Sequence, residues 1–114
     1  MGGHFAWETV PEIFQKSDLI IDALFGVGLD RDLEEPYIGL IEKVNRSGRK
    51  VLSVDIPSGL DSDNGRIHGA SIKADVTVTM GLPKKGFYEG EGPSLTGKII
   101  VDSIGLPQEL ISPL

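Results

Sequence analysis

The sequence has 114 residues, of which 39% are hydrophobic and 25% are charged, and its formal net charge at pH 7 is −6. A chain of this length forms one globular domain at most, and no segment approaches the roughly 20 apolar residues that span a bilayer. The acidic balance argues against nucleic-acid binding, which needs an excess of lysine and arginine. The absence of cysteine excludes disulfides and thiolate metal sites. We therefore expect a soluble, cytoplasmic protein that binds neither nucleic acid nor membrane.

The first predicted elements are a short helix and a strand. Residues 10–16 are expected to form the helix, with Thr9 as its cap. Residues 18–25 form a compact apolar run that is broken by Asp22. Such a run, followed at once by glycine, is typical of a strand buried in a parallel sheet.

A glycine loop follows this strand and is a candidate ligand-binding segment. It starts like a dinucleotide-binding fingerprint, although Arg31 occupies the place of the third glycine. Two glycines permit a ligand to approach the backbone closely, and the charged residues offer polar contacts. A plain turn is the alternative, because a two-glycine match is a weak signal. The loop consists of Gly26, Val27, Gly28, Leu29, Asp30, Arg31 and Asp32.

The next part of the chain predicts a helix and a second strand. Apolar residues recur at a spacing of three at Ile38, Ile41 and Val44, which indicates an amphipathic helix over residues 36–46. The apolar run at residues 51–54 predicts the strand. The order strand, helix, strand implies a right-handed crossover between two parallel strands.

Polar residues stand where the second predicted strand ends. Asp55 follows the strand directly, and Ser58 and Gly59 come shortly after it. Open α/β sheets bind ligands at this edge. If the two strands are neighbours, Asp22 and Asp55 point into one crevice, where two carboxylates can share a proton, hold a cation or divide acid and base duties. The alternative is that both aspartates only cap turns.

The second half of the chain predicts two more strands and several loops. Residues 61–65 start like a calcium-binding loop but lack its closing glutamate, so that we expect a turn. His68 has no histidine cluster around it that would bind a transition metal. Residues 74–80 and 98–102 are expected to be strands.

Three side chains near the third predicted strand are further candidates for the crevice. They are Thr77, Thr79 and Lys84, of which the lysine suits a small anion or a solvated loop. Threonine in a strand is more often present for its β-branched shape.

Four blocks of the sequence, in this order, resemble the second half of the YjeF N-terminal domain family, the NAD(P)H-hydrate epimerases. The blocks are DLIIDALFGVG, VLSVDIPSGLDSDNG, ADVTVTMGLPKKG and GKIIVDSIGLP. The resemblance implies an α/β protein with a Rossmann-like three-layer αβα fold and a mainly parallel sheet. Residues 1–114 would form the C-terminal portion of that domain.

The resemblance also implies an activity in nicotinamide nucleotide repair. The family interconverts the R and S forms of hydrated NADH and NADPH, and a dehydratase, separate or fused, then acts on the S form. By position, Asp22 and Ser58 would bind a potassium ion, and Asp55 would contact the substrate as the catalytic acid or base. The loop from Gly26 to Asp32 would line the hydrated dinucleotide.

One motif of the family, of the form NNGGDG, does not occur in this sequence. We therefore expect a partial domain that exposes apolar surface, associates with itself and has little activity alone. Two alternative functions stay open. The chain could be a non-catalytic nucleotide-binding or scaffold module, or part of a bifunctional epimerase and dehydratase that is described as a carbohydrate kinase.

Overall fold

The structure is a computed structural model, which describes residues 19–24 and 31–102. Four strands form one sheet of order β1-β2-β3-β4, and all neighbouring strands are parallel. The elements are β1 (Leu19–Asp22), α1 (Tyr37–Arg46), β2 (Lys50–Val54), β3 (Val76–Met80), a 3₁₀ helix (Lys85–Phe87), α2 (Gly92–Leu95) and β4 (Lys98–Asp102).

The predicted α/β class and parallel sheet are confirmed, and each strand lies within its predicted run or within one residue of it. The helix predicted at residues 10–16 lies outside the described residues. Among the helices that the structure describes, none has the length and apolar character needed to cross a membrane.

Helix α1 forms where the apolar spacing predicts it. Leu40, Ile41 and Val44 are its buried residues and lie on one face. The helix ends after Arg46, and both the amide and the hydroxyl of Ser47 donate to the carbonyl of Val44. This bonding satisfies a carbonyl that would otherwise lack a partner at the helix end.

The strand register determines which side chains share the covered face of the sheet. Residues paired in register between parallel strands point to the same side, and Asp22, Ser53, Thr77 and Ile99 form one such row. Two hydrophobic clusters cover this face. The cluster beneath α1 contains Leu33, Ile41, Val44, Val51, Ile72 and Ala74, and the cluster beneath the 3₁₀ helix and α2 contains Ile56, Leu60, Phe87 and Leu95, with Ile99 packed against it.

The opposite face of the sheet is apolar and largely open, and we call it the open face. Ile21, Met80 and Ile100 lie on it with exposed fractions of 63%, 46% and 42%. Neither of the two core clusters found in the described residues includes a side chain from this face. The prediction of exposed apolar surface is therefore confirmed for this face, and the described residues supply one covering layer of the expected three-layer fold.

Two loops beside the site pack backbone against backbone. A Cβ atom added at Gly65, whose φ is 74°, would overlap the carbonyl oxygen of Glu89, and one added at Gly86 would overlap that of Asp61. The amide of Gly86 donates to the carbonyl of Ser62 at 2.7 Å. Only glycine permits this approach, so the loop after β3 is held tightly against the loop after β2.

Candidate functional site

The carboxyl ends of the strands bring the predicted polar residues to one edge of the sheet. Strands β1 and β2 are neighbours, as predicted, and Asp22 is paired in register with Ser53. The amide of Asp55 donates to the carbonyl of Val78 in β3, with an N to O distance of 2.6 Å. The edge therefore has two parts, one around Asp22 and one around Asp55.

Asp22 is almost completely enclosed, with an exposed fraction of 3%. Its Oδ2 accepts hydrogen bonds from the Ser53 hydroxyl at 2.7 Å and from the Ser58 amide at 2.9 Å. Its Oδ1 accepts from the Ser58 hydroxyl at 2.6 Å and, at 3.5 Å, from the Leu24 amide. These donors compensate for the loss of water around the carboxylate, which would otherwise make its burial costly.

The surroundings of Asp22 and Ser58 fit a monovalent cation. Hard cations prefer oxygen ligands, and the site joins a carboxylate to a hydroxyl whose proton is donated to that carboxylate. Asp22 forms no ion pair in the part of the chain that the structure describes. A buried carboxylate without a cationic neighbour favours the binding of a positive ion. The described residues contain no group of three or more histidine, cysteine or acidic side chains that could hold a metal ion, so that any further ligands at this site would have to be hydroxyl or carbonyl oxygens.

Asp55 has an unusual backbone conformation, with a φ of 73°. Positive φ is uncommon for residues other than glycine, although aspartate tolerates it better than most. Its Oδ1 lies 2.9 Å from the Lys84 Nζ and accepts from the Met80 amide at 3.3 Å. Within the described residues its Oδ2 accepts no hydrogen bond, and a quarter of the side chain is exposed. One oxygen is thus held by the protein, and the other is available to a ligand.

Lys84 makes three polar contacts, as many as its ammonium group has hydrogens. Besides Asp55, its Nζ lies 3.2 Å from the Thr79 hydroxyl and 3.5 Å from the Met80 carbonyl. Thr79 and Lys84 are therefore at the edge, as the sequence suggests. Thr77 is not, because its hydroxyl donates to the Thr96 carbonyl at 2.7 Å, away from Lys84 and Asp55.

Asp22 and Asp55 share an edge but no hydrogen-bond partner. The alternative in which they share one proton is therefore wrong for this structure, since no hydrogen bond links them. Turn capping alone does not describe either residue, because their shortest side-chain bonds reach distant residues. Ser53 is 31 positions from Asp22, and Lys84 is 29 positions from Asp55.

The predicted substrate loop is described only at its end. Gly26 to Asp30 lie outside the described residues, whereas Arg31 and Asp32 are exposed. Asp32 Oδ1 lies 3.5 Å from His68 Nδ1, and the Leu33 amide donates to the His68 carbonyl at 3.0 Å. The end of the loop is thus tied to the connection between β2 and β3. The predicted role of the loop in binding stays a prediction.

Residues 62–64 form a turn, as predicted. Asp61 Oδ1 accepts from the amides of Asp63 and Asn64, and its Oδ2 lies 2.8 Å from His68 Nε2. The hydrogen bond with His68, followed by that from the Asp63 amide, lowers the pKa of the Asp61 carboxyl below its ordinary value of 3.8. The link from His68 to both Asp32 and Asp61 had no signal in the sequence.

A parallel sheet with polar side chains gathered at its carboxyl edge is typical of Rossmann-like α/β proteins. Residues 2–86 match the sequence model of the family described as YjeF-related protein N-terminus, and the chain belongs to this family. It is 42% identical over 96 residues to an NAD(P)H-hydrate epimerase of Limosilactobacillus fermentum, covering 83% of this chain and 46% of that protein. It is 44% identical over 104 residues to a bifunctional NAD(P)H-hydrate repair enzyme of Thermofilum pendens, covering 91% of this chain and 20% of that enzyme.

The fold is also similar to that of a larger protein of known structure. The crystal structure of yeast ynu0 superposes with a TM-score of 0.67 at 30% identity, covering 88% of this chain and 40% of that one. The chain therefore spans less than half the length of each of these three proteins.

Proposed function

We propose that the protein acts as an NAD(P)H-hydrate epimerase, which interconverts the R and S forms of hydrated NADH and NADPH. The observation that carries the proposal is the environment of Asp55, whose Oδ1 is held by Lys84. Its Oδ2 has no partner among the described residues, so that it is available to a substrate. The name of the Limosilactobacillus fermentum relative supports the same reaction.

Epimerisation inverts the carbon that carries the hydroxyl group of the hydrate. One route is loss of that hydroxyl as water, followed by addition of water to the other face of the ring. The departing oxygen needs a proton, and the incoming water must lose one on the opposite face of the ring, so that the proton given in the first step is recovered in the second. Asp55 would serve as the acid or the base in one of these transfers. Asp55 is positioned for this work at the edge where ligands of parallel sheets bind. Such catalysis is typically worth about 10²–10⁴-fold in rate.

The substrate and the cation have separate places in this proposal. The loop formed by Gly26, Val27, Gly28, Leu29, Asp30, Arg31 and Asp32 would line the dinucleotide. Asp22 and Ser58 would hold a potassium ion with other oxygen donors. When bound, this ion would offset the charge of the buried carboxylate and stabilise the adjoining backbone.

A second candidate function is favoured by the relatives that are named bifunctional. The chain covers 20% of the Thermofilum pendens enzyme and 19% of a similar enzyme of Coxiella burnetii. The epimerase would then be one part of a cytoplasmic repair protein, with a dehydratase for the S form fused to it or supplied separately. A non-catalytic scaffold, in contrast, has no use for the free oxygen of Asp55.

The replacement Asp55→Asn tests the proposed function. We expect a loss of at least about 100-fold in exchange between the two epimers, because the amide cannot titrate. NMR spectroscopy of hydrated NADH would follow the exchange in protein expressed from the complete reading frame. Asp63→Asn is the matched control, since Asp63 is exposed. Undiminished exchange in Asp55→Asn would remove this residue from catalysis.

A further inference from the structure

We propose that Lys84 is a positioning residue that fixes the orientation of the Asp55 carboxylate. The inference rests on the proposed function for its catalytic consequence, but the orientation itself can be measured without activity. Lys84 would act through Asp55 and need not touch the substrate.

The ammonium group of Lys84 is held from several directions. Its Nζ contacts Asp55 Oδ1 at 2.9 Å and the Thr79 hydroxyl at 3.2 Å, and the side chain is 20% exposed. Thr79 is fully buried in β3, which makes it a rigid second contact. The lysine therefore has little freedom to follow a moving carboxylate.

The backbone of Lys84 is fixed as well. Its carbonyl accepts from the Phe87 amide at 3.0 Å, at the start of the 3₁₀ helix. The Phe87 side chain is 1% exposed and belongs to the core cluster that also contains Leu95. The lysine is thus anchored to the core at one end and bonded to the carboxylate at the other.

This arrangement selects one of the orientations that Asp55 could adopt. A terminal carboxylate rotates in a broad, roughly two-fold well, so that an unsupported group would present either oxygen in varying directions. Lys84 and the Met80 amide both bond Oδ1, which leaves Oδ2 in a defined place. A catalytic group that is held in its working geometry avoids an ordering cost during the reaction.

The neighbouring lysine provides a matched comparison. Lys85 is 77% exposed, and its Nζ lies 3.8 Å from Glu89 in an ordinary surface pair. Both lysines carry the same charge and are adjacent in the chain, but of these two described residues Lys84 contacts Asp55 and Lys85 does not. An effect that comes from the general charge of the loop would appear in variants of either lysine.

The test compares Lys84→Met, Lys84→Arg and Lys85→Met with the wild type, in protein from the complete reading frame. For Lys84→Met we expect kcat for epimer exchange to fall about 10–100-fold, with a smaller change in KM. Lys84→Arg should recover part of the loss, and Lys85→Met should behave as the wild type. Melting temperatures would confirm that each variant is folded.

A second measurement reports the orientation directly. Because Oδ1 reaches Lys84 in only one arrangement of the whole side chain, loss of the lysine frees rotation about both χ1 and χ2. Three-bond coupling constants about χ1 of Asp55 should therefore indicate one rotamer in the wild type and averaging in Lys84→Met. A single, unchanged rotamer in Lys84→Met overturns the inference, as does full kcat in that variant or an equal loss in Lys85→Met. A wild type without exchange refutes the proposed function instead, and the coupling constants then still decide whether Lys84 positions Asp55.

Discussion

Asp22 is the last residue of β1 and Asp55 follows the neighbouring β2, yet their side chains enter different environments. Asp22 is enclosed by hydroxyl and amide donors, whereas Asp55 faces a cation and keeps one oxygen open. The sequence predicts that both residues lie at one edge, because each is near the end of an apolar strand. It does not predict their partners. Lys84 reaches Asp55 through the shape of the loop after β3, and no local pattern encodes that shape.

The cation site can be tested with Asp22→Asn and Ser58→Ala. We expect the melting temperature of the wild type to rise with potassium, because an ion that binds the folded state stabilises it. Each variant should lose most of this rise, and the double variant should lose little more, since both residues serve one ion. Scanning calorimetry in potassium and in choline chloride at equal ionic strength would measure the rise relative to each variant's own baseline. Additive losses, or a wild type that ignores potassium, would contradict a shared ion.

At the scale of elements, the strands and α1 were predictable, whereas the connection between β2 and β3 was not. The apolar runs and the spacing of Ile41 and Val44 encode local structure directly. The connection instead depends on contacts between distant segments, such as His68 between Asp32 and Asp61. Its backbone also relies on the close approach at Gly65, which a sequence does not distinguish from an ordinary turn glycine.

The variant Asp61→Asn tests how the connection between β2 and β3 contributes to the pH dependence of stability. Because the folded pKa of Asp61 is lowered, its ionised form stabilises the fold above its ordinary pKa, and this contribution disappears as the pH falls through the folded pKa. We expect the free energy of unfolding of the wild type to be higher than that of Asp61→Asn by on the order of 1 kcal/mol near neutral pH. The gap should narrow below about pH 4. Urea denaturation at several pH values would measure it, with Asp63→Asn as a control that shows no such trend. A gap that is independent of pH would contradict this role of Asp61.

For the whole molecule, the open face is the feature with the largest physical consequence. Parallel sheets are normally covered on both sides, and here the covered face holds both core clusters that the described residues form. The other face carries exposed Leu19, Ile21, Met80 and Ile100. Apolar surface of this kind favours association. The chain matches less than half of the epimerase and of the bifunctional enzyme, which agrees with a face that is covered by further structure in those proteins.

Ile21→Lys is predicted to weaken self-association of the 114-residue chain. Burial of an isoleucine side chain contributes about 1.5–3 kcal/mol, so that its loss should raise the dissociation constant roughly tenfold or more. Sedimentation equilibrium over a concentration series would measure the change. Leu82→Lys is a suitable control, because Leu82 is 60% exposed and lies outside the strands of the sheet. A wild-type chain that is monomeric at every concentration would contradict the prediction.

The backbone contact between the loop of Gly65 and the loop of Gly86 also restricts how this protein can evolve. In most cores, a larger side chain on one element can be accommodated by a smaller one on its neighbour. Here each glycine meets a carbonyl oxygen, and a carbonyl cannot be exchanged for something smaller. Compensating substitutions therefore do not exist at these two positions. Successive substitutions cannot shift the backbone of the loop that presents Lys84 to Asp55 without breaking this contact.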